Sequence, residues 1–140
     1  MKIQHAVALL LLAGCLATYA QQVTPARPAF TTYVMTFDDS RIKALLNPDL
    51  AQIRSAVAAN EDFFGLVFRI DRYGTDGTKQ TLQVIADGGE NFWFEYTSAS
   101  GEVSYSEKRD FSTDETVKIV WAYRCDAAHW VHMLKWERDK

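Results

Sequence analysis

The chain has 140 residues, with 15 basic and 18 acidic side chains and a formal net charge of −3. Its charges are interspersed, so the sequence lacks the basic patch that nucleic-acid phosphates require, and we expect no nucleic-acid partner. The length excludes a second sizeable domain once an export signal has been removed.

Residues 1–20 predict an export signal. Lys2 provides a short positive start, and residues 6–17 form an uncharged, almost wholly apolar run. This run is shorter than the roughly 20 apolar residues that cross a bilayer, but it matches the core of a signal peptide. Small side chains before the expected cut predict cleavage after Ala20, so the protein is expected to be secreted or periplasmic.

Lipidation is the alternative outcome of export. Residues 12–15 (LAGC) resemble a bacterial lipobox. This resemblance implies cleavage before Cys15 and a lipid on its sulfur, which would anchor the protein to a bacterial membrane. We expect membrane association only in that case.

The remaining chain predicts a short leader and one domain. Residues 21–29 contain two of the three prolines and few apolar side chains, which is typical of an extended, mobile segment. Residues 30–140 then form a single domain. Cys125 is its one cysteine, so no internal disulfide can stabilise the core, and we expect a buried free thiol.

The first part of the domain predicts a strand followed by two helices. Residues 31–38 carry bulky apolar side chains at every second position, which favours a strand. Asp39 or Ser40 can cap a short helix over 41–46. The Asn-Pro pair that follows predicts the start of an amphipathic helix over 48–60.

The rest of the domain alternates apolar and polar side chains and predicts six consecutive strands. Asp-Gly and Gly-Gly pairs predict tight turns between the first three. In the fifth, Val117, Ile119 and Trp121 alternate with their neighbours. The predicted strands cover residues 64–71, 80–87, 91–97, 103–105, 116–125 and 130–136.

These elements predict an α+β fold, in which one or two short helices pack on a curled antiparallel meander of six to seven strands. Short connections pair neighbouring strands antiparallel. Two short helices cannot cover seven strands evenly, so we expect the sheet to curl into a partial barrel. The order of a strand, two short helices and a meander is similar to the opening of helix-grip lipid-binding folds. Those folds end in a long helix, which this chain is expected to lack.

A local stretch resembles cystatins. Residues 83–86 (QVIA), followed by 91–94 (NFWF), are similar to the first hairpin loop and the next strand of that family. The resemblance implies a helix across a curled sheet and a loop that enters a cysteine-protease cleft. Residues 87–90 stand where that family has one glycine, so we infer no inhibitory role and assign no family.

Cys125, His129 and His132 are the candidates for metal binding or catalysis. Thiolate and imidazole are zinc ligands. Residues three apart in a strand point to opposite faces, however, so the two histidines cannot converge within one strand. The chain has no G-x-S-x-G nucleophile motif. We therefore expect no metal, no cofactor and no catalytic residue, and we do not favour an enzyme.

Aromatic content is the strongest compositional signal, at 13% of the chain. Pockets for small ligands are lined mostly by apolar and aromatic side chains. The favoured function is therefore that of a non-catalytic exported protein, which binds a small apolar or aromatic ligand between the helices and the curled sheet. The residues predicted to line this pocket are Phe68, Phe94, Tyr96, Tyr105, Trp121 and Trp136.

Trp93 predicts an alternative function. It lies between Phe92 and Phe94 and so points away from the face that we expect to be the core. An aromatic ring beside polar groups can anchor a protein partner. The alternative is therefore a protein–protein interaction module, such as a secreted inhibitor or an immunity protein.

Overall fold

The computed structural model describes residues 30–126 and 129–138. The predicted signal peptide, the lipobox at 12–15 and the leader at 21–29 lie outside this part of the chain. Neither helix within it has the length and apolar character needed to cross a membrane.

An antiparallel sheet of seven strands is the framework of the domain. The strand order is β2-β1-β3-β4-β5-β6-β7, so most strands lie beside their neighbours in sequence, as in a meander. The sheet is open and is not closed into a barrel. Its strands are β1 (Phe30–Phe37), β2 (Leu45–Leu46), β3 (Phe64–Gly74), β4 (Lys79–Asp87), β5 (Phe92–Thr97), β6 (Val103–Ser106) and β7 (Trp136–Arg138).

Two helices, α1 (Leu50–Ala58) and α2 (Thr113–Arg124), pack on one face of this sheet. Side chains from the sheet, such as Phe68 and Phe94, and from the helices, such as Ile53, form one core cluster and are almost wholly buried. The predicted α+β class, with short helices on an antiparallel sheet, is confirmed. The predicted strands at 31–38, 64–71, 80–87, 91–97 and 103–105 are confirmed as β1, β3, β4, β5 and β6.

Helix α1 begins two residues later than predicted. Asp49 is its N-cap: the Asp49 Oδ1 accepts from the Gln52 backbone N–H at 2.8 Å, and the Gln52 Oε1 accepts from the Asp49 N–H at 2.9 Å. Asn47, with a φ of 49°, pairs with Tyr33 instead. Its N–H donates to the Tyr33 carbonyl at 2.7 Å, and its Oδ1 accepts from the Tyr33 N–H at 3.0 Å.

The short helix predicted over 41–46 is wrong. The Asp39 Oδ1 accepts from the Arg41 N–H at 3.0 Å in a local turn, and the chain then enters β2, which pairs with the middle of β1. A six-residue helix makes too few internal hydrogen bonds to offset the cost of its nucleation. Pairing with β1 satisfies the backbone groups of Leu45 and Leu46 without that cost.

The strand predicted over 116–125 is also wrong, because these residues form most of α2. The Ser112 Oγ accepts from the Glu115 N–H at 3.3 Å, and the Glu115 Oε2 accepts from the Ser112 N–H at 2.8 Å, which closes a capping box. β-branched and aromatic residues cost a helix less than about 0.7 kcal/mol each, so burial of one helix face outweighs that preference. The buried residues of α2 are Thr116, Val117, Ile119, Val120, Ala122 and Tyr123.

The strand predicted over 130–136 is correct only at its end. Trp130–Met133 form a short 3-10 helix, and the chain enters β7 at Trp136. The ring of Trp130 is buried against Tyr123, at 4.8 Å between ring centroids, and against Tyr96, at 5.0 Å. These edge-to-face contacts hold the C-terminal segment against α2 and β5.

Candidate functional site

The face of the sheet opposite the helices carries a row of apolar side chains. Leu66 pairs with Ile85, and Ile85 pairs with Trp93, so the three lie side by side on β3, β4 and β5. All three are only partly buried. Adjacent strands are about 4.8 Å apart, so this row is about 10 Å long. The buried side chains of both described helices join the core on the other face.

Phe64 extends this row. It lies opposite Asp87 on the same face as Leu66, and its side chain is 71% exposed. The ring lies over Gly88, where an added Cβ would overlap it, and Gly88 has a φ of 74°. Glycine at this turn therefore makes room for the ring. We call Phe64, Leu66, Ile85 and Trp93 the apolar patch.

Strict alternation along β3 predicts that Phe64 and Leu66 share the core face with Phe68 and Ile70, and this prediction is wrong. The pairing of β3 with β4 shifts register between Leu66 and Phe68. Such a β-bulge moves the side chains on one side of it to the opposite face of the sheet. The extra residue, Val67, is buried, whereas Phe64 is exposed. A single bulge thus creates half of the apolar patch.

Trp93 has well-defined neighbours on this face. The guanidinium carbon of Arg109, from the loop between β6 and α2, lies 4.4 Å from the centre of the Trp93 ring. The Tyr105 ring lies 6.3 Å away, tilted by 45°. A cation–π contact at an exposed site contributes about 0.5–1 kcal/mol. The indole therefore has an ordered contact on each of two sides within the domain.

Polar side chains beside the patch bind one another. Gln83 donates a hydrogen bond to Glu95 across β4 and β5. The buried carboxylate of Asp71 accepts from the Thr81 hydroxyl at 2.6 Å and pairs with the Lys79 ammonium at 3.2 Å. These bonds satisfy the polar side chains beside the patch. The apolar patch is therefore the apolar part of this face.

The residues predicted to line a ligand pocket lie in several environments. Phe68 and Phe94 are fully buried in the core between the helices and the sheet. Tyr105 lies on the other face of the sheet, beside Trp93. Trp121, predicted on a strand, is partly buried on α2.

The remaining two predicted residues belong to an aromatic cluster. The rings of Tyr96 and Trp136 lie 5.9 Å apart, and both contact Trp130. Burial raises the pKa of Tyr96 above its usual range. The structure therefore does not bring the six predicted residues together around one cavity.

A buried arginine lies next to this cluster. The guanidinium carbon of Arg72 is 4.1 Å from the Phe30 ring centre and 4.3 Å from that of Tyr123. Arg72 donates to the Gln80 Oε1 at 3.0 and 2.5 Å and to the Asp126 Oδ1 at 3.0 Å. Burial raises the pKa of Tyr123, whose hydroxyl is without a hydrogen-bond partner in the described part of the chain. These contacts make Arg72 a structural link between β3 and the end of α2.

A groove runs between α1, the loop after β1 and the start of β3. A cavity of about 350 Å³ and another of about 330 Å³ share Phe37 and Ile42. The second cavity extends to Phe63, Leu66 and Asp38. Leu66 thus connects the groove to the apolar patch. Sequence reasoning missed the groove because it assigned the loop to a helix.

The candidates for metal binding or catalysis lie after α2. Cys125 caps the end of this helix, and its thiol is exposed, so the prediction of a buried thiol is wrong. His129 and His132 are exposed on the following turn. Over residues 30–126 and 129–138, no group of three or more His, Cys, Asp or Glu side chains is arranged to hold a metal.

Comparisons of this chain with protein-family models, with curated protein sequences and with solved structures found no match.

Proposed function

We propose that this is an exported, non-catalytic protein that binds another protein through the apolar patch, with Trp93 as the anchor. The observation that carries this proposal is the row of Leu66, Ile85 and Trp93, which lies on the sheet face opposite both described helices. Contiguous exposed apolar surface on a folded domain marks interaction sites. This function is the alternative that Trp93 predicted.

The shape of the patch favours a protein over a small molecule. Small-ligand sites are concave and bury most of the ligand surface. The patch instead lies on a row of three neighbouring strands, and Phe64 projects from it with most of its side chain exposed. A partner protein can cover such a surface and place its own side chains around the indole, as tryptophan anchors do at interfaces.

A pull-down with two matched variants tests this proposal. Trp93→Ala removes the anchor, whereas Met133→Ala removes an exposed apolar side chain elsewhere on the domain. We expect wild type and Met133→Ala to retain the same protein from an extract of the source cells, and Trp93→Ala to lose it. Thermal unfolding shows whether each variant is folded. Equal retention by folded Trp93→Ala would refute the role of the patch.

Binding of a small apolar ligand is the second candidate function, and the groove beside α1 supports it. Its cavities of about 350 and 330 Å³ fall at the lower end of the range for small-ligand sites. The space between the helices and the sheet offers less support, because Phe68 and Phe94 are fully buried there. Titration with a fatty acid, followed by amide chemical shifts, tests this function. Saturable shifts at Phe37 and Ile42 would support it, and unchanged shifts would remove it.

Export and the finer fold assignment belong to the same proposal. Secretion, or lipid anchoring through Cys15, rests on the apolar run and the lipobox resemblance at the start of the chain. A helix-grip arrangement is supported by α2, which follows β6, but it departs from that pattern because β7 comes after the helix and pairs with β6. The intact mass of the exported protein separates cleavage after Ala20 from lipidation at Cys15.

A further inference from the structure

Two charges of opposite sign flank the apolar patch. At one end, the Arg109 guanidinium is stacked on Trp93, and no carboxylate of the described residues lies within ion-pairing distance of it. At the other end, Asp38 lines two cavities together with Leu66. The Asp38 carboxylate is exposed and makes no ion pair or hydrogen bond with the described residues.

Several other charges near the patch already have partners. The Asp39 carboxylate lies 2.7 Å from the Arg41 guanidinium, and Asp71 is paired with Lys79 and lies 3.8 Å from Arg69. Glu95 accepts a hydrogen bond from Gln83. Asp87, opposite Phe64, is exposed and makes no ion pair with the described residues, so it is a second unpaired carboxylate. Asp38 and Arg109 are the unpaired charges of opposite sign that lie beyond the two ends of the row of Leu66, Ile85 and Trp93.

We propose that the partner inserts an apolar side chain on the patch between an acidic residue, which pairs with Arg109, and a basic residue, which pairs with Asp38. This inference rests on the proposed protein-binding function and specifies the chemistry of the partner. Asp38 follows β1, one strand beyond Leu66, so three strand spacings, about 14 Å, separate it from the strand of Trp93. This distance corresponds to about four residues of an extended segment. The acidic and basic residues are thus about four to five positions apart on the partner.

The stacking of Arg109 gives this pairing a physical advantage. An exposed arginine loses rotamer freedom when it forms an ion pair, and such ordering lowers binding affinity. Contact with Trp93 orders the guanidinium beforehand and leaves its N–H groups available. Opposite charges at the two ends also fix the orientation of the partner, because a reversed segment places like charges together.

Selection from a library of displayed random peptides tests this inference. We expect wild type to enrich peptides with an apolar side chain between an acidic and a basic residue, and Trp93→Ala to lose them. We expect Arg109→Glu to enrich peptides with a basic residue in place of the acidic one. We expect Asp38→Lys to enrich peptides with an acidic residue in place of the basic one. Lys118→Glu, on the exposed side of α2, is the matched control and leaves the preferences unchanged.

A synthetic peptide from the selection gives the quantitative test. Arg109→Glu weakens its binding about tenfold or more, and replacing the acidic residue of the peptide by lysine restores the affinity. Binding of the unmodified peptide to the wild-type protein also weakens as the salt concentration rises.

The outcomes separate this inference from the proposed function. Peptides that depend on Trp93 but show no charge preference, or a preference that Arg109→Glu leaves unchanged, would overturn the inference and leave the protein-binding function standing. If no peptide is enriched, or if none depends on Trp93, both are contradicted.

Discussion

Arg72 and Asp126 join the sheet to the end of α2, because the Arg72 Nη1 lies 3.0 Å from the Asp126 Oδ1. The Arg72 side chain is 5% exposed, and Asp126 has a φ of 50° directly after the helix cap. Aspartate tolerates this left-handed conformation better than most residues do. The pair thus fixes where the chain leaves α2 before the C-terminal segment.

Replacing Arg72 is expected to destabilise the domain strongly. Arg72→Met leaves the carboxylate of Asp126 and the amide of Gln80 without their donor, and breaking a buried pair costs about 3–5 kcal/mol. Urea unfolding measures the change. Arg54→Met, which breaks the exposed pair with Asp114, is the comparison and is expected to cost about 1 kcal/mol or less. Equal losses in the two variants would contradict the structural role of Arg72.

Tyr123 is expected to limit stability at high pH. Burial raises its pKa above the usual value of about 10, so the folded state holds the phenolic proton more tightly than the unfolded state. The stabilisation of the folded state by this proton is fully present below about pH 10. Above that pH the free energy of unfolding falls by about 1.4 kcal/mol per pH unit. Unfolding free energies of wild type and Tyr123→Phe therefore diverge above about pH 10.

The same substitution has a second expected outcome at neutral pH. The Tyr123 hydroxyl makes no hydrogen bond with the described residues, so Tyr123→Phe removes a buried polar group without breaking a bond. We expect a free energy of unfolding equal to that of wild type or higher by about 1 kcal/mol. Clear destabilisation at pH 7 would show that the hydroxyl has a partner.

Two adjacent residues of β5 are expected to differ sharply in their effect on stability. Phe94 is fully buried, and Phe94→Ala removes a core ring at a cost of about 3–5 kcal/mol. Trp93→Ala acts on the opposite face and loses mainly the contact with Arg109, about 1 kcal/mol. Urea unfolding of both variants decides which face of the sheet is the core. Similar losses would mean that Trp93 is also packed inside.

The N-cap of α2 gives a test of the helix itself. Ser112→Ala removes the cap and is expected to cost about 1 kcal/mol, whereas Ser112→Thr retains the acceptor and most of the stability. A strand in this region would not respond to the cap. Hydrogen exchange at the amides of Glu115 and Thr116 measures the local effect.

Glu115 adds a pH dependence to this cap. Its carboxylate accepts from the Ser112 N–H and from Lys108, and both contacts lower its pKa. Because the folded-state pKa is depressed, the stabilisation is present above the usual pKa of glutamate and is lost as the pH falls through the lower folded-state value. As the pH falls, the free energy of unfolding of Glu115→Gln is therefore expected to decrease less than that of wild type. Identical acid dependence in both proteins would contradict the contact.

Local patterns of residues were enough to predict several elements of this domain. Alternating apolar residues and tight turn pairs predicted β1, β3, β4 and β5, since the side chains of a strand point to opposite faces in turn. It also predicted that Trp93 points away from Phe94, because neighbours in one strand cannot share a face. The start of α2 also has a local signal, because Ser112 and Glu115 form a capping-box signature. The prediction of a strand over 116–125 missed this signature.

Contacts between distant parts of the chain set which positions belong to the patch and which belong to the core. The bulge between Leu66 and Phe68 turns the first residues of β3 to the other face, and it depends on how β3 pairs with β4. The contact of Arg109 with Trp93 joins a loop to a strand that comes before it in the chain. Residues 116–124 are helical because the buried face of α2 packs into the core on the sheet, and that gain outweighs their local preference for a strand.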